Sequence, residues 1–436
     1  MSRVLGNVQG PLIIGHYGGS NTGDEAMLAG ILEAMGAGVR QHARVVVKDG
    51  ALEKTCPNFG VPSVPATLNS VFNALLRSNG LVLGGGTHFH DDYTTFRYLR
   101  HFRYMSRIVV LSILAKLLRR KVAWLGMGFG PFYRRPTRWL TRLGLAFCDC
   151  VTVRDARSHQ EVAAWVPSSK LLHAFDLSAL LVGSSNGGVR TGKESQECKT
   201  LGISATSVQN SMTGGPEADA VFWSRLTRAL IGTLNSNLAL RIRVMVIRGG
   251  DREDDWHLSR KLHTAISRVH PGRSELVPYN PDPTATLRSV AECDAFIATR
   301  YHAGVLAYLS ECPLLLIAYH RKVRDLAREI GLLDEACIGI AKDAGENLLM
   351  ERIGRMLEGD DAFRARLPVS VAAQQAWLSI RALQAVLPGL NPDSSAIRLD
   401  PALQAREPRG AQEMHLARKR RRFRLIPRQG DGPTAS

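Results

Sequence analysis

Features of a membrane-spanning or disulfide-bonded chain are largely missing from this sequence. The longest apolar run, at 108–118, is too short to cross a bilayer and contains a lysine. The seven cysteines are odd in number and lack CxxC spacing, which argues against a disulfide framework or a structural zinc site. No charged N-terminal region is followed by an apolar one, so we expect no signal peptide. These absences favour a globular protein of the reducing cytoplasm.

Carboxylates are also scarce, because the 436 residues include 39 Asp and Glu against 56 Lys and Arg, a formal net charge of +17. Such an excess favours an anionic partner, such as a phosphorylated substrate, an anionic membrane surface or nucleic acid. Part of the charge lies in a basic tail, where 418–428 holds seven basic residues. No basic segment is interleaved with aromatic residues as in a nucleic-acid module, so nucleic acid is the weakest of these candidates.

Apolar runs alternate with segments of helical spacing along most of the chain. This pattern predicts an α/β protein with two Rossmann-like, doubly wound domains that face a cleft. The polar, glycine-rich stretch 183–199 is the predicted linker. It separates an N-terminal domain at 1–182 from a C-terminal domain at 200–358. We expect a helix at 359–388 to pack back on the first domain, and the tail at 389–436 to be disordered.

A strand–loop–helix unit lies near the N-terminus. An apolar strand at 11–17 is followed by a glycine-rich turn and a helix at 25–35, as in nucleotide-binding units. No Lys-Ser/Thr pair follows the glycines, which excludes a P-loop. A carboxylate at the start of the helix makes this terminus a poor phosphate site, so we expect Asn21 and Asp24 to contact acceptor hydroxyls. The alternative for Asp24 is a simple helix N-cap.

A second polar cluster follows the predicted strand at 81–83. Three glycines come first, and glycine lets a ligand or another backbone approach closely, so Gly85 and Gly86 are candidate binding residues. The stretch 88–92 then holds two histidines and two aspartates. We expect Asp91 to bind substrate from this loop. A metal site is not expected here, because no third cluster at ligand spacing supports it.

A basic helix is predicted after this loop. Arg97, Arg100, Arg103 and Arg107 recur every three or four residues and so form one stripe of the helix. Such a helix can lie on an anionic membrane. The alternative is the solvated face of a core helix, and the sequence leaves both interpretations open.

Cationic or titratable side chains follow several predicted strands close to the point where each strand ends. Arg154, Arg248, Arg300 and Lys322 each come after an apolar run. Ligands of an open parallel sheet bind beyond the carboxyl ends of its strands, so these cations predict a site for a small molecule with two anionic groups. His302, two residues after Arg300, can transfer protons near neutral pH.

Four motifs in this order resemble the polysaccharide pyruvyl transferase family. They are GHYGGSNTGDEAMLAGI at 15–31, LVLGGGTHFHDD at 81–92, VRDARS at 153–158 and TRYHAGVLAYLSECPLLLIAYHRKV at 299–323. Their order and spacing cover most of residues 11–331. The segment FDLSA departs from the family pattern, which has a proline after the aspartate.

The resemblance implies a GT-B-like fold and phosphoenolpyruvate as the donor, with no other cofactor. The acceptor would be a saccharide of a cell-surface polysaccharide or its lipid-linked precursor, and the product a pyruvate ketal. By the same resemblance, Arg300 and His302 match the Arg-x-His of the donor site, and Lys322 matches its lysine. His302 is then the expected general acid, and Asp24 or Asp91 the group that holds or deprotonates the sugar hydroxyl.

Two other functions share these features. A glycosyltransferase that uses a nucleotide sugar would have the same cleft and cations. A basic binding protein without catalysis would use the positive charge to hold an anionic membrane or nucleic acid. For the pyruvyl transferase we expect a cytoplasmic location, with peripheral contact at the inner membrane face if the acceptor is lipid-linked.

Overall fold

The computed structural model describes residues 10–48, 59–93, 95–183, 198–207, 216–250, 255–340 and 345–387. Almost all of the predicted linker 183–199 and all of the predicted tail 389–436 lie outside these residues. The described chain builds two parallel β-sheets with helices on their faces. Apolar strands buried on both faces are typical of such parallel sheets.

The first sheet has seven parallel strands in the order β3-β2-β1-β4-β5-β6-β7. Their bounds are β1 Leu12–Ile14, β2 Arg44–Val47, β3 Ser63–Pro65, β4 Gly80–Phe89, β5 Lys121–Phe129, β6 Cys150–Val153 and β7 Leu171–His173. The helices are α1 Thr22–Ala34, α2 Ala37–Arg40, α3 Leu68–Leu76, α4 Thr95–Leu117, α5 Arg135–Ala146, α6 Ala156–Val162 and α7 Leu180–Gly183.

The second sheet has six parallel strands in the order β10-β9-β8-β11-β12-β13. The strands are β8 Lys199–Ser204, β9 Leu240–Met245, β10 Ser274–Val277, β11 Ala295–Ala298, β12 Leu314–Ala318 and β13 Cys337–Gly339. The helices are α8 Pro216–Ser236, α9 Trp256–Val269, α10 Pro283–Ala291, α11 Tyr301–Leu309, α12 Arg321–Glu329 and α13 Glu346–Glu358. In both sheets the strand order reverses beside the first strand, which is where doubly wound folds bind ligands.

A final helix, α14 Val369–Val386, returns from the second sheet to the first. It packs against β5, β6 and α7. At the centre of this contact the hydroxyls of Thr152 and Ser379 form a buried hydrogen bond of 2.7 Å, and Thr152 also accepts from the Gly126 N–H over 2.8 Å. Helix α14 therefore covers one face of the first sheet, and the buried hydroxyls of Thr152 and Ser379 are both hydrogen-bonded.

The strand predicted at 81–83 is longer than expected. β4 continues through the three glycines to Phe89 and pairs with the similarly long β5, with a change of register between Gly86 and Phe89. The glycines therefore do not end the strand. Gly85 and Gly86 have φ values of +59° and +95°, which bend the strand where few other residues could follow.

Two helical glycines provide a matched test of this packing. A Cβ atom on Gly144 of α5 would lie 2.5 Å from Trp124 Cη2, so Gly144→Ala should lower the free energy of unfolding by about 1–3 kcal/mol. A Cβ atom on Gly354 of α13 would meet nothing within 4 Å, so Gly354→Ala should raise it by roughly 0.5–1 kcal/mol. Urea unfolding midpoints measure both. If both substitutions shifted the urea midpoint equally and in the same direction, the close contact of α5 with β5 would be contradicted.

Candidate active site

The loop before α1 joins the two sheets at their carboxyl ends. Thr22 donates to the carbonyl of Ile247 from its backbone N–H and its hydroxyl, over 3.1 and 2.8 Å. The Gly249 N–H donates to the Ser20 carbonyl over 2.8 Å. The neighbouring residues Asn21 and Arg248 form an antiparallel β-bridge. These bonds place the N-terminus of α1 beside the chain that leaves β9. They close one side of the space between the sheets.

A cavity of about 640 Å³ occupies this space. Its volume is within the range of small-molecule sites. Helices α11 and α12 begin at its wall, and the positive ends of their dipoles favour an anion there. Eight of the ten residues predicted from the sequence line it: Asn21, Asp24, Gly86, Arg154, Arg248, Arg300, His302 and Lys322.

The prediction for Asp91 is wrong, and Gly85 is not part of the cavity wall either. The Asp91 carboxylate is fully buried and accepts hydrogen bonds from the backbone N–H groups of Tyr133 and Arg134, over 2.6 and 2.7 Å. It therefore holds the turn before α5 and has no room for a sugar. Gly85 packs against Met27 of α1, where a Cβ atom would overlap the sulfur. The neighbour of Asp91 in sequence, Asp92, lines the cavity instead.

One ionic cluster connects the two sheets at the base of the cavity. Arg154 is only 3% exposed and donates to Asp176 over 3.0 Å and to the Thr87 hydroxyl over 2.9 Å. Its guanidinium stacks on the Tyr301 ring at 4.1 Å. Burial opposes ionisation of Asp176, but His302 and then Arg154 outweigh it, so the pKa of Asp176 lies below its usual range. The carboxylate is therefore an anion that orders the cations around it.

His302 stands at the start of α11 between this cluster and α1. Its Nε2 lies 3.7 Å from the nearest Asp176 oxygen and forms no hydrogen bond with a described residue. A Cβ atom on Gly23 would overlap the imidazole ring, so only glycine permits this approach of α1. Asp24 follows at once and accepts from the Asn21 side-chain amide over 2.6 Å. A titratable imidazole and a carboxylate thus lie in adjacent parts of the cavity wall.

The Arg300 guanidinium is paired with an aspartate, so one of its edges is not available to a ligand. Its Nε and Nη2 atoms donate to the two oxygens of Asp255, each over 2.6 Å. Asp255 is fully buried and also accepts from the Arg248 backbone N–H over 3.1 Å. The edge of the guanidinium that carries Nε and Nη2 is therefore already occupied. Its charge still faces the cavity and is fixed in position.

Lys322 carries the charge that is least compensated. Its ammonium group forms no hydrogen bond or ion pair with a residue that the structure describes. Burial, and then the cations of Arg154 and Arg300, lower the pKa of Lys322 to about 8. Both causes penalise the charged form, and they outweigh the opposing effect of the Asp92 and Asp24 carboxylates. An anionic ligand in the cavity would remove that penalty and restore the protonated form.

A chain of polar rings on the opposite wall escaped the sequence analysis. Asp92 accepts from His90 Nδ1 and, over 2.8 Å, from His320 Nε2 of the second sheet. The Lys322 N–H donates to His320 Nδ1 over 3.2 Å, so the His320 proton is on Nε2. Burial opposes the charge on Asp92, but the hydrogen bonds from His320 and His90 lower its pKa below the usual range. The alternation of His88, His90 and Asp92 along an extended segment was the signal that could have placed them on one side.

Flat side chains extend this wall toward the N-terminal half. His16 stacks against His88 at 4.8 Å and against Tyr104 at 4.7 Å, between ring centroids. Tyr104 and His101 of α4 line the cavity together with Tyr93. Such ring faces suit the apolar face of a sugar. No three His, Cys, Asp or Glu side chains of the described residues are placed to share a metal ion.

The depressed pKa of Lys322 can be measured directly. After reductive methylation with ¹³C-formaldehyde, one lysine resonance should titrate with a midpoint of about 8, against about 10.4 for ordinary lysines. That resonance should be missing in Lys322→Met, and inorganic phosphate should raise its midpoint, because a bound anion favours the charged amine. The resonance should remain in Lys261→Met, and its loss in Lys322→Met alone assigns it to Lys322. A Lys322 midpoint near 10 would contradict the cation-rich environment.

Comparisons with known proteins identify the family and the fold. The family model described as polysaccharide pyruvyl transferase matches residues 21–321. No curated protein matches the chain in sequence. Among solved structures, UDP-GlcNAc 2-epimerase of Neisseria meningitidis bound to UDP-GlcNAc has a TM-score of 0.54 at 8% identity, over 87% of this chain and 100% of that one.

Two further structures are similar in the same way. UDP-GlcNAc 2-epimerase of Methanocaldococcus jannaschii has a TM-score of 0.55 at 11% identity, over 87% of this chain and 100% of that one. Anabaena HepE in complex with UDP-glucose has a TM-score of 0.50 at 13% identity, over 86% of this chain and 98% of that one. Identities this low show the fold alone, and they confirm the predicted GT-B-like pair of Rossmann-like sheets.

The family match includes Asn21 with helix α1, the cluster of Arg154, Asp176 and His302, and Arg300 with its strand. It spans more than two thirds of the chain, and it confirms the resemblance seen in the four sequence motifs. The chain belongs to the polysaccharide pyruvyl transferase family.

Proposed function

We propose that this transferase moves the pyruvyl group of phosphoenolpyruvate onto two hydroxyls of a saccharide, forming a pyruvate ketal and releasing phosphate. The saccharide is part of a cell-surface polysaccharide or of its lipid-linked precursor. The observation that carries the proposal is an uncompensated lysine, Lys322, in one cavity with two fixed arginines and with His302. Such a cavity requires an anion with more than one charged group, and it has a proton donor beside it.

Phosphoenolpyruvate matches the charges of the cavity. It carries a carboxylate and a phosphate, and these need several cations in a fixed arrangement. Arg154 and Arg300 are each held by a carboxylate, so their positions do not depend on the ligand. Lys322 supplies a charge without an ion-pair partner among the described residues, and the N-termini of α11 and α12 add N–H groups. Preorganised cations of this kind also stabilise the charge of a departing phosphate.

The chemistry needs one proton donor and one proton acceptor near the donor carbons. His302, in its protonated form, gives a proton to the methylene carbon while a sugar hydroxyl oxygen bonds to the adjacent carbon. Asp24 receives the proton that this hydroxyl loses. A second hydroxyl of the same saccharide then bonds to that carbon, and the carbon–oxygen bond to phosphate breaks with both electrons leaving on phosphate. The second hydroxyl proton is released, so the ketal and inorganic phosphate balance the reactants.

The two walls of the cavity divide these tasks. The cations Arg154, Arg300 and Lys322 hold the donor, and Asp24 with Asn21 faces the acceptor hydroxyls. The rings of His16 and Tyr104 provide a flat surface for the saccharide. Asp176 acts indirectly, because its carboxylate lies 3.7 Å from His302 Nε2 and accepts a hydrogen bond from Arg154.

Donor binding is tested by thermal unfolding with phosphoenolpyruvate. A ligand that binds only the folded state stabilises it by about 2.7 kcal/mol at a hundredfold excess over Kd. Phosphoenolpyruvate should therefore raise the melting temperature of the wild type and leave that of Lys322→Met unchanged. The unliganded variant should be at least as stable as the wild type, because an unneutralised buried charge has been removed.

Lys261→Met on the exposed side of α9 is the matched control and should keep the shift. Arg300→Ala is the poorer variant, because it leaves the buried carboxylate of Asp255 without its partner and costs about 3–5 kcal/mol. UDP-GlcNAc and UDP-glucose serve as competing ligands. A shift with a UDP-sugar and none with phosphoenolpyruvate would contradict the proposed donor.

The role of His302 separates catalysis from binding. His302→Ala should lower kcat by roughly a hundredfold to ten-thousandfold, as expected when a positioned general acid is lost. Its phosphoenolpyruvate-dependent thermal shift should remain, since the cations of the donor site are untouched. Phosphate release in the presence of a polysaccharide fraction measures kcat, with His263→Ala of α9 as a control outside the cavity. Normal turnover in His302→Ala would rule out the assigned role.

A further inference from the structure

Helix α4 exposes an unusual stripe on the side away from the sheet. Its 23 residues include no Asp or Glu. The exposed positions recur at helical spacing and combine arginines with apolar residues: Phe96, Leu99, Arg100, Arg103, Arg107, Val110 and Leu117. Phe96 is 80% and Leu99 56% exposed. We call these seven residues the α4 stripe.

The sequence on both sides of α4 is equally poor in acidic residues. Residues 93–148, from the end of the β4 loop through α5, contain twelve Lys and Arg and no Asp or Glu. Several of these cations have local partners, as Arg134 does with the Tyr98 ring. Arg100, Arg103 and Arg107 form no ion pair or hydrogen bond with a described residue. Three adjacent arginines of the stripe are therefore available to an external anion.

Apolar side chains next to the stripe are exposed as well. The Thr137 hydroxyl donates to the Tyr98 hydroxyl over 3.3 Å, which places the start of α5 beside the start of α4. Tyr133, just before α5, is 65% exposed, and Trp139 within α5 is 66% exposed. Aromatic and basic side chains on one surface are typical of segments that lie in the interface of a bilayer.

We propose that the α4 stripe docks the protein on an anionic lipid bilayer. Arg100, Arg103 and Arg107 bind lipid phosphates, and Phe96 and Leu99 enter the acyl boundary. A second copy of the chain is a poor occupant, because a two-fold interface would bring the same arginines together. Nucleic acid would contact the arginines but would gain little from the exposed aliphatic residues. None of the helices among the described residues is long and apolar enough to cross a bilayer, so the contact is peripheral.

Docking in this orientation has a consequence for the substrate. The same helix contributes His101 and Tyr104 to the cavity wall, while the stripe lies on its outer side. Binding through the stripe would hold the cavity next to the lipid surface. If the proposed pyruvyl transfer is correct, the acceptor that fits this arrangement is a lipid-linked saccharide presented by the bilayer. The docking itself does not depend on that function.

Vesicle co-sedimentation of the full chain tests the proposal. The wild type should pellet with vesicles of phosphatidylcholine and phosphatidylglycerol, and not with phosphatidylcholine alone. The variant Arg100→Glu/Arg103→Glu/Arg107→Glu should bind at least roughly a hundredfold more weakly, because each basic residue near an anionic surface contributes about fivefold. Phe96→Ser/Leu99→Ser should remove the binding that persists in high salt, where phosphate contacts are screened.

Three controls make the result decisive. Arg260→Glu/Lys261→Glu/Arg268→Glu changes the net charge equally on the exposed side of α9 and should keep vesicle binding within about threefold. Arg420→Gln/Arg421→Gln/Arg422→Gln reports on the basic tail and should also keep it. The phosphoenolpyruvate thermal shift of the α4 variant should equal that of the wild type, since its arginines are outside the cavity.

Several outcomes would overturn the proposal. Equal losses in the α4 and α9 variants would mean a general effect of net charge, and loss in the tail variant alone would assign binding to the tail. Tighter binding to a DNA duplex than to vesicles would identify nucleic acid as the partner. Conversion of a dimer to a monomer by the α4 substitutions, seen in sedimentation velocity, would identify a second copy. Loss of vesicle binding in the α4 variant alone, with its phosphoenolpyruvate thermal shift intact, would support the proposal.

Discussion

The buried carboxylate of Asp176 connects the parts of this molecule that must act together. It accepts a hydrogen bond from Arg154 at the end of β6 and lies 3.7 Å from His302 at the start of α11, so one anion orders a cation and an imidazole from two different sheets. Removing any partner of a buried charge costs far more than the pair contributes. These contacts hold the two sheets in a fixed relative position beside His302, the proposed proton donor, which lies next to Gly23 of α1.

Carboxylates around the cavity fix its cations without cancelling its charge. Asp176 holds Arg154, Asp255 holds Arg300 and Asp92 holds His320, and each of these aspartates is buried or partly buried. Among the described residues no carboxylate plays this part for the Lys322 side chain. Most of the cations are therefore fixed in position, and the site keeps an excess of positive charge. That combination favours a small ligand with several anionic groups, because little ordering is needed when it binds.

The rule that ligands lie beyond parallel strand ends predicted several of the residues that line the cavity. Arg154, Arg300 and Lys322 converge because parallel strands bring their carboxyl ends to one edge. The same rule could not distinguish Asp91 from Asp92, since adjacent residues of an extended segment point to opposite sides. Nor could it reveal the wall of rings around Tyr104, because its members come from segments that are distant in sequence.

Local properties of the sequence by themselves determined the helices, most of the strands, the parallel α/β architecture and the family resemblance. Apolar runs, glycine turns and helical spacing act over a few residues, so they can be read without coordinates. Tertiary structure alone decided that Arg300 is paired with Asp255, that burial and neighbouring cations lower the pKa of Lys322 and that Asp91 supports a turn. These features depend on burial and on distances between remote segments, because charge interactions change with both.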